Sequence, residues 1–385
     1  MKSDDYAETM FGRPIRIPGT HGYTAFSPAP IPRHLDLPGS VIRMLADAEG
    51  ALGQLAGAGR LLPNPSLLIT PYVLREALSS SRIEGTQASM VEVLESDVTS
   101  RPPSEDVQEV ANYVHAMRSG IDRLEDLPLS TRLLREIHAT LMDGVRGRER
   151  APGEFRTSQN WIGPPGSTIE TAPYVPPPPD LVSDLLSDWE RFANEELEMP
   201  LLIQDALLHS QFETIHPFLD GNGRLGRLVI VFFLIANGKL PSPLLYVSSY
   251  FEANRDLYYA ALQAMRERGD PIPWLELFLT AVATQAKDAL SRAERIMDVR
   301  ERYRTVASTV GSTNAQQIAE MLAVNPLITS GRVRREVEVT RPTALRLLKS
   351  FEELGILAPM SSGPRGEHQY LAREMMDAVY GDDDA

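Results

Sequence analysis

The sequence predicts a mainly α-helical protein with one β-hairpin and a separate helical unit near its carboxyl end. Apolar residues recur at helical spacing over most of the 385 residues. Strand-like patterns are scarce, and the clearest one surrounds a GPPGS turn within residues 153–179. Near the carboxyl end, short helical patterns are followed by two short strand patterns, an order that differs from the preceding chain.

Composition excludes several classes of function. Apolar residues make up 43% of the chain and charged residues 23%, the balance of a globular protein with a real core. The net charge of -14 argues against polyanion binding by the whole molecule and leaves only a local basic face open. Without cysteine, disulfides and thiolate chemistry are excluded. The acidic start lacks a signal-peptide core, and no apolar run spans a bilayer, so we expect a cytoplasmic protein without a membrane partner.

Residues 1–125 are expected to form an N-terminal helical segment. Proline-rich extended chain precedes an apolar helix near residues 40–55. The next helix is predicted to start with Thr70 as its N-cap and Pro71 in its first position, and to stop at Gly85. The four residues from Ser89 have the spacing of a capping box and predict another helix start.

The rest of the chain divides into a central domain over residues 126–290, a helical connector over 291–310 and a terminal domain over 311–378. In the central domain, residues 153–179 interrupt the helical pattern with the expected hairpin and a proline-rich strap. Helical spacing then runs to residue 215, stops, and restarts near Arg224.

The terminal domain is predicted to be a winged helix-turn-helix, with three short helices followed by two strands across the sequence SSGPRGE. Basic side chains gather on its second and third helices: Arg332, Arg334, Arg335, Arg341, Arg346 and Lys349. This clustering fits a local DNA-facing patch. Winged helices also dock proteins or form homodimers, and both alternatives stay open.

The segment HPFLDGNGRLGR, residues 216–227, carries the strongest chemical signal. Gly221, Asn222 and Gly223 precede a predicted helix, where consecutive N–H groups and the helix N-terminus point at one place and attract an anion. Arg224 and Arg227 lie three residues apart on that helix, and two guanidinium groups suit a polyphosphate better than a single carboxylate. The segment therefore predicts a nucleotide phosphate site.

Two further residues of the segment supply chemistry. Asp220 is a hard oxygen ligand suited to hold Mg²⁺ against phosphate oxygens. His216 is able to accept a proton near neutral pH, and so to activate a hydroxyl that attacks phosphorus. Attack at an α-phosphate would transfer a nucleoside monophosphate.

HPFLDGNGRLGR resembles the Fic family signature, HxFx(D/E)GNGRxxR, at every specified position. The resemblance implies a protein adenylyltransferase that moves AMP from ATP to a Ser, Thr or Tyr hydroxyl of target proteins and of itself, with removal of AMP as a further activity of some members. It implies His216 as the general base, Asp220 as the Mg²⁺ ligand and Phe218 as a structural anchor. The implied ATP-binding residues of the signature are Gly221, Asn222, Gly223, Arg224, Leu225, Gly226 and Arg227.

Two other regions are similar to parts of the family. Residues 248–270 resemble the segment that covers adenine, through Asn254, Tyr258 and Tyr259, although core packing of the tyrosines and helix capping by Asn254 stay open. Residues 153–179 resemble the flap that aligns the target backbone by strand addition. The flap residues implied to dock the target are Ile169, Tyr174 and Val175.

Ser80, Glu84 and Gly85 match the inhibitory motif of the family, (S/T)xxxE(G/N). Ser80 and Glu84 are four residues apart and therefore share a helix face. The resemblance implies that Glu84 pairs with Arg227 and displaces the γ-phosphate of ATP. The α-phosphate is then misplaced, and an error of about 1 Å lowers a rate on the order of a hundredfold.

Other functions remain open at this level. The protein is alternatively a DNA-binding regulator whose core senses nucleotides, or a transferase that uses another phosphate donor. His209 and Glu213, together with His216 and Asp220, offer a weaker possibility, a divalent-metal hydrolase. Against it, a single histidine on a helix is more often a buried, hydrogen-bonded residue.

Overall fold

The computed structural model describes the chain except for residues 2, 20–21, 62–65, 99–101, 147–148, 361–367 and 382–385. The described strands are β1 (Gly12–Ile17), β2 (Tyr23–Pro28), β3 (Leu327–Thr329), β4 (Ala358–Pro359) and β5 (Gln369–Leu371). The described helices are α1 (Gly39–Leu61), α2 (Ser66–Ile83), α3 (Met90–Val98), α4 (Glu105–Leu124), α5 (Thr131–Leu141), α6 (Val182–Asn194), α7 (Leu201–Ile215), α8 (Asn222–Ala236), α9 (Ser248–Ala253), α10 (Arg255–Arg268), α11 (Ile272–Thr309), α12 (Thr313–Val324), α13 (Ser330–Glu336), α14 (Arg341–Glu353) and α15 (Arg373–Tyr380). The prediction of a mainly α fold is confirmed.

The fold is built around α7 and α8, which pack against each other at its centre. Every residue of α7 after Leu201 is buried, and α8 is buried to Leu234 apart from Gly223. The apolar middle and end of α8 suit such an interior, whereas α7 also buries polar residues such as Asp205 and His209 there. The 38-residue helix α11 packs along α1 and continues into contacts with α12 and α15. Among the described helices, none is long and apolar enough to cross a bilayer.

The N-terminal region differs from its predicted proline-rich coil. β1 and β2 form an antiparallel hairpin in register from Gly12 opposite Pro28 to Ile17 opposite Tyr23. Pro14 is accommodated because β1 is an edge strand of a two-stranded sheet, where a missing N–H need not remove a ladder hydrogen bond. Proline content alone was therefore a poor guide to this segment.

The hairpin expected in the flap is reduced to a single antiparallel bridge between Ile162 and Tyr174. Prolines at positions 164, 165, 173 and 176 remove the N–H donors that a longer ladder requires. The flap instead continues the N-terminal hairpin, because the N–H of Phe26 in β2 donates to the carbonyl of Val175 at 2.9 Å.

The start of α2 was predicted five residues too late. The helix begins at Ser66, so Pro71 lies inside it. Its end agrees with the prediction, since α2 stops at Ile83 and Gly85 has a φ of +99°, a left-handed value that glycine adopts without strain. The capping box is also confirmed, with Ser89 N–H donating to Glu92 at 2.8 Å and Glu92 N–H donating to Ser89 at 3.2 Å.

The carboxyl-terminal unit has helices α12, α13 and α14 where the sequence predicted them, and a sheet in the order β3-β5-β4. Strand β3 was not predicted, and the SSGPRGE turn lies outside the described residues. The identification as a winged helix-turn-helix stays a prediction. The unit packs on the central fold through α12 and α15, which contact α11 and α2.

Candidate active site

The segment 216–227 forms the turn between α7 and α8. His216 caps α7 in a left-handed conformation, with φ 50° and ψ 61°, which is uncommon for a residue other than glycine. Gly221 caps α8 with φ 74°. The first N–H groups of α8 have no intrahelical partners, so they and the helix dipole form an anion site beside the histidine-bearing loop.

Arg156 holds this strained turn from the flap. Its guanidinium donates to the carbonyls of His216 at 2.9 Å and Ile215 at 3.3 Å, and its own N–H donates to the carbonyl of Pro217 at 2.9 Å. Burial lowers the pKa of Arg156 to about 10. The sequence analysis missed this residue, since carbonyl partners leave no side-chain pattern to recognise.

The imidazole of His216 is partly buried, with 19% of its side chain exposed. Burial, followed by the positive charges of Arg156 and Arg266, lowers its pKa to about 3. The ring is therefore neutral at physiological pH and able to accept a proton. The carboxylate of Glu213 lies 3.9 Å from its Nδ1, and burial raises the pKa of Glu213 to about 7.

Two buried residues shape the loop from within. The ring of Phe218 is fully buried and stacks on His138, with ring centroids 3.8 Å apart. His138 accepts the N–H of Gly153 at Nδ1, so its Nε2 carries the proton and donates to the carbonyl of Asp220 at 2.9 Å. Burial lowers the pKa of His138 to about 4, which keeps this neutral form. His138 was not predicted as part of the site.

Asn222 does not offer its side chain to a ligand, contrary to expectation. Its Oδ1 accepts the N–H of Phe218 and its Nδ2 donates to the carbonyl of Phe218, both at 2.9 Å. The amide therefore fixes the loop. Leu225 is likewise fully buried, and Gly226 packs α8 closely against Phe212 and Glu213 of α7, so both act in packing.

Arg227 is buried, and its Nε and Nη2 are bound by α2 and the residue after it. Its Nε donates to the hydroxyl of Ser80 at 2.8 Å, and its Nη2 donates to the Ser80 carbonyl at 2.8 Å and to Glu84 at 2.7 Å. Burial works to lower the pKa of Arg227, and the Glu84 carboxylate outweighs it and raises the pKa. The structure thus brings together two motifs that lie 143 residues apart.

Arg224 is equally buried, at 4% exposure, and is not engaged in the same way. Within the described part of the chain, its Nε and Nη1 have no hydrogen-bond acceptor. Glu109 lies 3.5 Å from Nη1, at ion-pair distance. Arg224 lines an open cavity of about 530 Å³ together with Asp220, Arg146 and Arg150.

Comparison with known proteins decides the family. Residues 42–122 match the model of the Fic/DOC family N-terminal region, and residues 128–234 match the model of the Fic/DOC family itself. The chain belongs to the Fic/DOC family.

Curated Fic relatives match over part of their length. A probable protein adenylyltransferase of Aquifex aeolicus is 35% identical over 96 residues, which cover 25% of this chain and 28% of the relative. The protein adenylyltransferase Fic of Culex quinquefasciatus is 33% identical over 144 residues, which cover 37% of this chain and 25% of the relative. The chain thus spans about a quarter of the length of these relatives.

A solved structure shares the fold more widely. The Fic family protein from Desulfovibrio desulfuricans is 20% identical, with a TM-score of 0.58. The match covers 88% of this chain and 97% of that one. The helical Fic architecture therefore extends well beyond the residues matched by the family models.

The three predicted adenine residues of this Fic protein have different surroundings in the structure. Tyr258 is 1% exposed and bonds through its hydroxyl to His209 at 2.9 Å, so it is a core residue and not an adenine contact. Asn254 donates to the Tyr250 carbonyl at the junction of α9 and α10. Tyr259 is 40% exposed and lies near Glu84, which with burial raises its pKa.

The metal-hydrolase interpretation of this Fic site is not supported by the structure. Both ring nitrogens of His209 are used, by the carbonyl of Gly226 at 3.0 Å and by Tyr258. Burial lowers the pKa of His209 to about 3. Over the described residues, no cluster of three or more His, Asp or Glu side chains is arranged to hold a metal.

The Fic flap residues pack inward. Tyr174 and Val175 are buried in a small apolar cluster with Phe26, and Ile169 packs partly buried against it. The hydroxyl of Tyr174 donates to the carbonyl of Thr214 at 2.6 Å. Their side chains stabilise the flap. The backbone of Tyr174 pairs with Ile162, and the carbonyl of Val175 accepts the N–H of Phe26. Target docking at these positions therefore stays a prediction.

Proposed function

We propose that this protein is a protein adenylyltransferase, which transfers AMP from ATP to a Ser, Thr or Tyr hydroxyl of a target protein and of itself. One observation carries the proposal: Arg224 is buried beside the N-terminus of α8, and among the residues that the structure describes its Nε and Nη1 have no hydrogen-bond acceptor, with Glu109 at ion-pair distance. Buried donors of this kind need an acceptor, and a phosphate oxygen satisfies them. The names of the curated relatives support the same activity.

The geometry fits a simple in-line transfer. The neutral imidazole of His216 takes the proton of the attacking hydroxyl. The hydroxyl oxygen forms a bond to the α-phosphorus, the bond from that phosphorus to the bridging oxygen breaks, and pyrophosphate leaves. The N–H groups of α8 and the guanidinium of Arg224 would stabilise the negative charge that develops on the phosphates.

Magnesium fits the residues present. The side chain of Asp220 is 38% exposed toward the cavity, and its Oδ2 lies 3.5 Å from Arg150. One carboxylate together with substrate phosphates is a common magnesium arrangement. Bound there, the ion would neutralise phosphate charge, and Asp220 would hold it.

We further propose that Glu84 inhibits the enzyme. A γ-phosphate needs a cation, and Glu84 already occupies Arg227 at 2.7 Å. In the functional division that we propose, residues 1–125 control the catalytic core over 126–290. Residues 291–310 connect the catalytic core to the terminal domain over 311–378. Helix α11 runs unbroken across the boundary between residues 290 and 291.

Labelling with ATP that carries the label on its α-phosphate tests the activity. We expect Glu84→Gly to increase self-labelling strongly and His216→Ala, in the same background, to abolish it. Glu125→Gly is the matched control, because Glu125 also follows directly after a helix but is exposed and remote from the signature.

Mass spectrometry of lysate proteins treated with the Glu84→Gly variant identifies the transferred group. A gain of AMP on hydroxyls supports the proposal. A gain of phosphate or of another nucleotide points to a different donor, and unmodified proteins point to a nucleotide sensor. Equal labelling by wild type and Glu84→Gly contradicts inhibition by Glu84.

A second candidate function, DNA binding, rests on the terminal unit. Arg334, Arg335, Arg341 and Arg346 of α13 and α14 are exposed, and none of them forms an ion pair with another described residue. Fluorescence anisotropy with duplex DNA over a salt series tests the idea on the full chain. We expect Arg341→Glu with Arg346→Glu to remove binding, whereas no binding by wild type at low salt excludes it.

A further inference from the structure

A cluster of polar side chains lies directly beyond the inhibitory glutamate. We name it the latch cluster, and it consists of Thr86, Gln87, Asp106, Glu109 and Arg146. It joins the segment after α2 to the first turns of α4 and to the chain after α5. None of these residues belongs to the signature or to the inhibitory motif.

The shortest contact in the latch cluster joins Thr86 to Glu109. The Thr86 hydroxyl donates to Oε2 of Glu109 at 2.7 Å, and the two residues are 1% and 3% exposed. Next to it, the N–H of Gln87 donates to Asp106 at 2.8 Å. Hydrogen bonds to charged, buried acceptors are among the stronger ones in proteins.

Arg146 keeps the two carboxylates in place. Its Nε donates to Oε1 of Glu109 at 2.9 Å, and its Nη2 donates to Asp106 at 3.3 Å. The hydrogen bond and charge of Glu109 raise the pKa of Arg146. Glu109 also lies 3.5 Å from Arg224, so a single buried carboxylate contacts both the latch and the first signature arginine.

Glu84 needs such a support. It is the first residue beyond α2, and it is followed by Gly85 in a left-handed conformation. The side chain of Glu84 is 36% exposed although its partner Arg227 is buried, so water competes for the carboxylate and the ion pair alone leaves this flexible side chain some freedom. Fixing the backbone two residues later restricts where the carboxylate can go.

We propose that Thr86 and Glu109 are positioning residues that keep Glu84 on Arg227. This inference rests on the proposed function, in which Glu84 inhibits transfer. The latch cluster thereby sets the fraction of molecules in which Arg227 is closed to a γ-phosphate.

Thr86→Val tests the latch because it removes the hydroxyl and keeps the shape of the side chain. We expect AMP transfer to rise about tenfold over wild type, the factor that one such hydrogen bond supplies, and to stay below that of Glu84→Gly. Thr86→Ser, which restores the hydroxyl, returns to the wild-type rate. Thr131→Val is the matched control, since it removes an equally short bond to Glu190, remote from the signature.

The double variant with Glu84→Gly separates inhibition from catalysis. If the latch acts only through Glu84, then Thr86→Val adds nothing to Glu84→Gly. An equal increase in both backgrounds overturns the inference, because the hydroxyl would then act on catalysis itself.

Amide hydrogen exchange gives a readout that does not depend on activity. The N–H groups of Glu84, Gly85 and Thr86 bond to the carbonyls of Ser81 and Arg82 at 3.0 to 3.1 Å. We expect Thr86→Val to speed their exchange, and unchanged exchange overturns the latch. If Glu84→Gly fails to transfer AMP, the proposed function is wrong. The hydrogen exchange rates in Thr86→Val then still test whether the latch cluster fixes the segment after α2.

Discussion

Arg224 and Arg227 lie three residues apart on one helix, and both are almost fully buried, yet their surroundings differ. Arg227 donates to Ser80 and Glu84 through three hydrogen bonds. Among the described residues, Nε and Nη1 of Arg224 have no hydrogen-bond acceptor, although Glu109 lies 3.5 Å from Nη1. Its Nη2 contacts the sulfur of Met142 and lies 4.0 Å from Asp220. A buried, unsatisfied donor destabilises a fold, and such positions concentrate at functional sites. One arginine is thus bound by the inhibitory segment, whereas the other lines the cavity and keeps donor atoms without hydrogen-bond acceptors in the described part of the chain.

The largest effect that we expect is on the rate of AMP transfer. In the Glu84→Gly background, we expect Arg224→Met to lower AMP transfer about 10²- to 10³-fold, because a donor aimed at developing phosphate charge is lost. Initial rates of α-phosphate incorporation measure it. Arg118→Met is the control, on the exposed face of α4. A rate within a factor of two of the parent would show that Arg224 does not meet phosphate.

The pH dependence of stability tests the surroundings of the two arginines through the titration of Glu213. This residue packs against Gly226, which lies between Arg224 and Arg227 in the sequence. Burial raises its pKa from 4.5 to about 7, so the folded state binds a proton that the unfolded state releases. Its contribution to stability is therefore complete below pH 4.5 and is lost as the pH rises through 7. The loss is at most ~3 kcal/mol.

Glu213→Gln should remove this pH dependence, as urea unfolding at pH 5 and pH 8 would show. Glu84→Gly should reduce it, because Arg227 would then be free to lower the pKa of Glu213. Glu198→Gln, on an exposed residue, should leave it unchanged. If Glu213→Gln leaves the pH dependence of the free energy of unfolding unchanged, other titratable groups cause that dependence.

Stability should rank the two arginines in the opposite order to activity. We expect Arg227→Met to lower the free energy of unfolding by about 2 kcal/mol, since it removes three hydrogen bonds and leaves buried Ser80 unpaired. Arg224→Met should change it by less than about 1 kcal/mol, because it removes donors that lack acceptors. Urea unfolding of both variants compares them. Equal losses would mean that Arg224 is satisfied in solution.

Nucleotide affinity gives the smallest effect. With His216→Ala present to prevent turnover, we expect Glu84→Gly to bind ATP about tenfold more tightly, the factor for one typical interaction. AMP should bind equally to both, since it has no γ-phosphate to meet Arg227. Calorimetric titration measures the two nucleotides. A similar gain for AMP would place Glu84 elsewhere in the nucleotide site.

The sequence was most informative where short motifs resemble those of a known family. The pairing of Glu84 with Arg227 was implied by two short motifs, and the structure has it at 2.7 Å. Tyr258 illustrates the opposite case, since helical spacing could not decide between core and ligand, and contact with His209 did. Arg156 and His138 were missed because their partners are mostly backbone groups distant in sequence.

Gly223 lies where Glu84 and Arg227 meet. A methyl group added there would collide with the Glu84 carboxylate and come within 3.0 Å of Arg227 Nη1. In the proposed function, the absence of a side chain leaves room at this helix end for the Glu84 carboxylate or, in its place, for a phosphate. A side chain at position 223 would therefore interfere with both inhibition and phosphate binding in the proposed function, whereas substitution of Glu84 would remove inhibition alone.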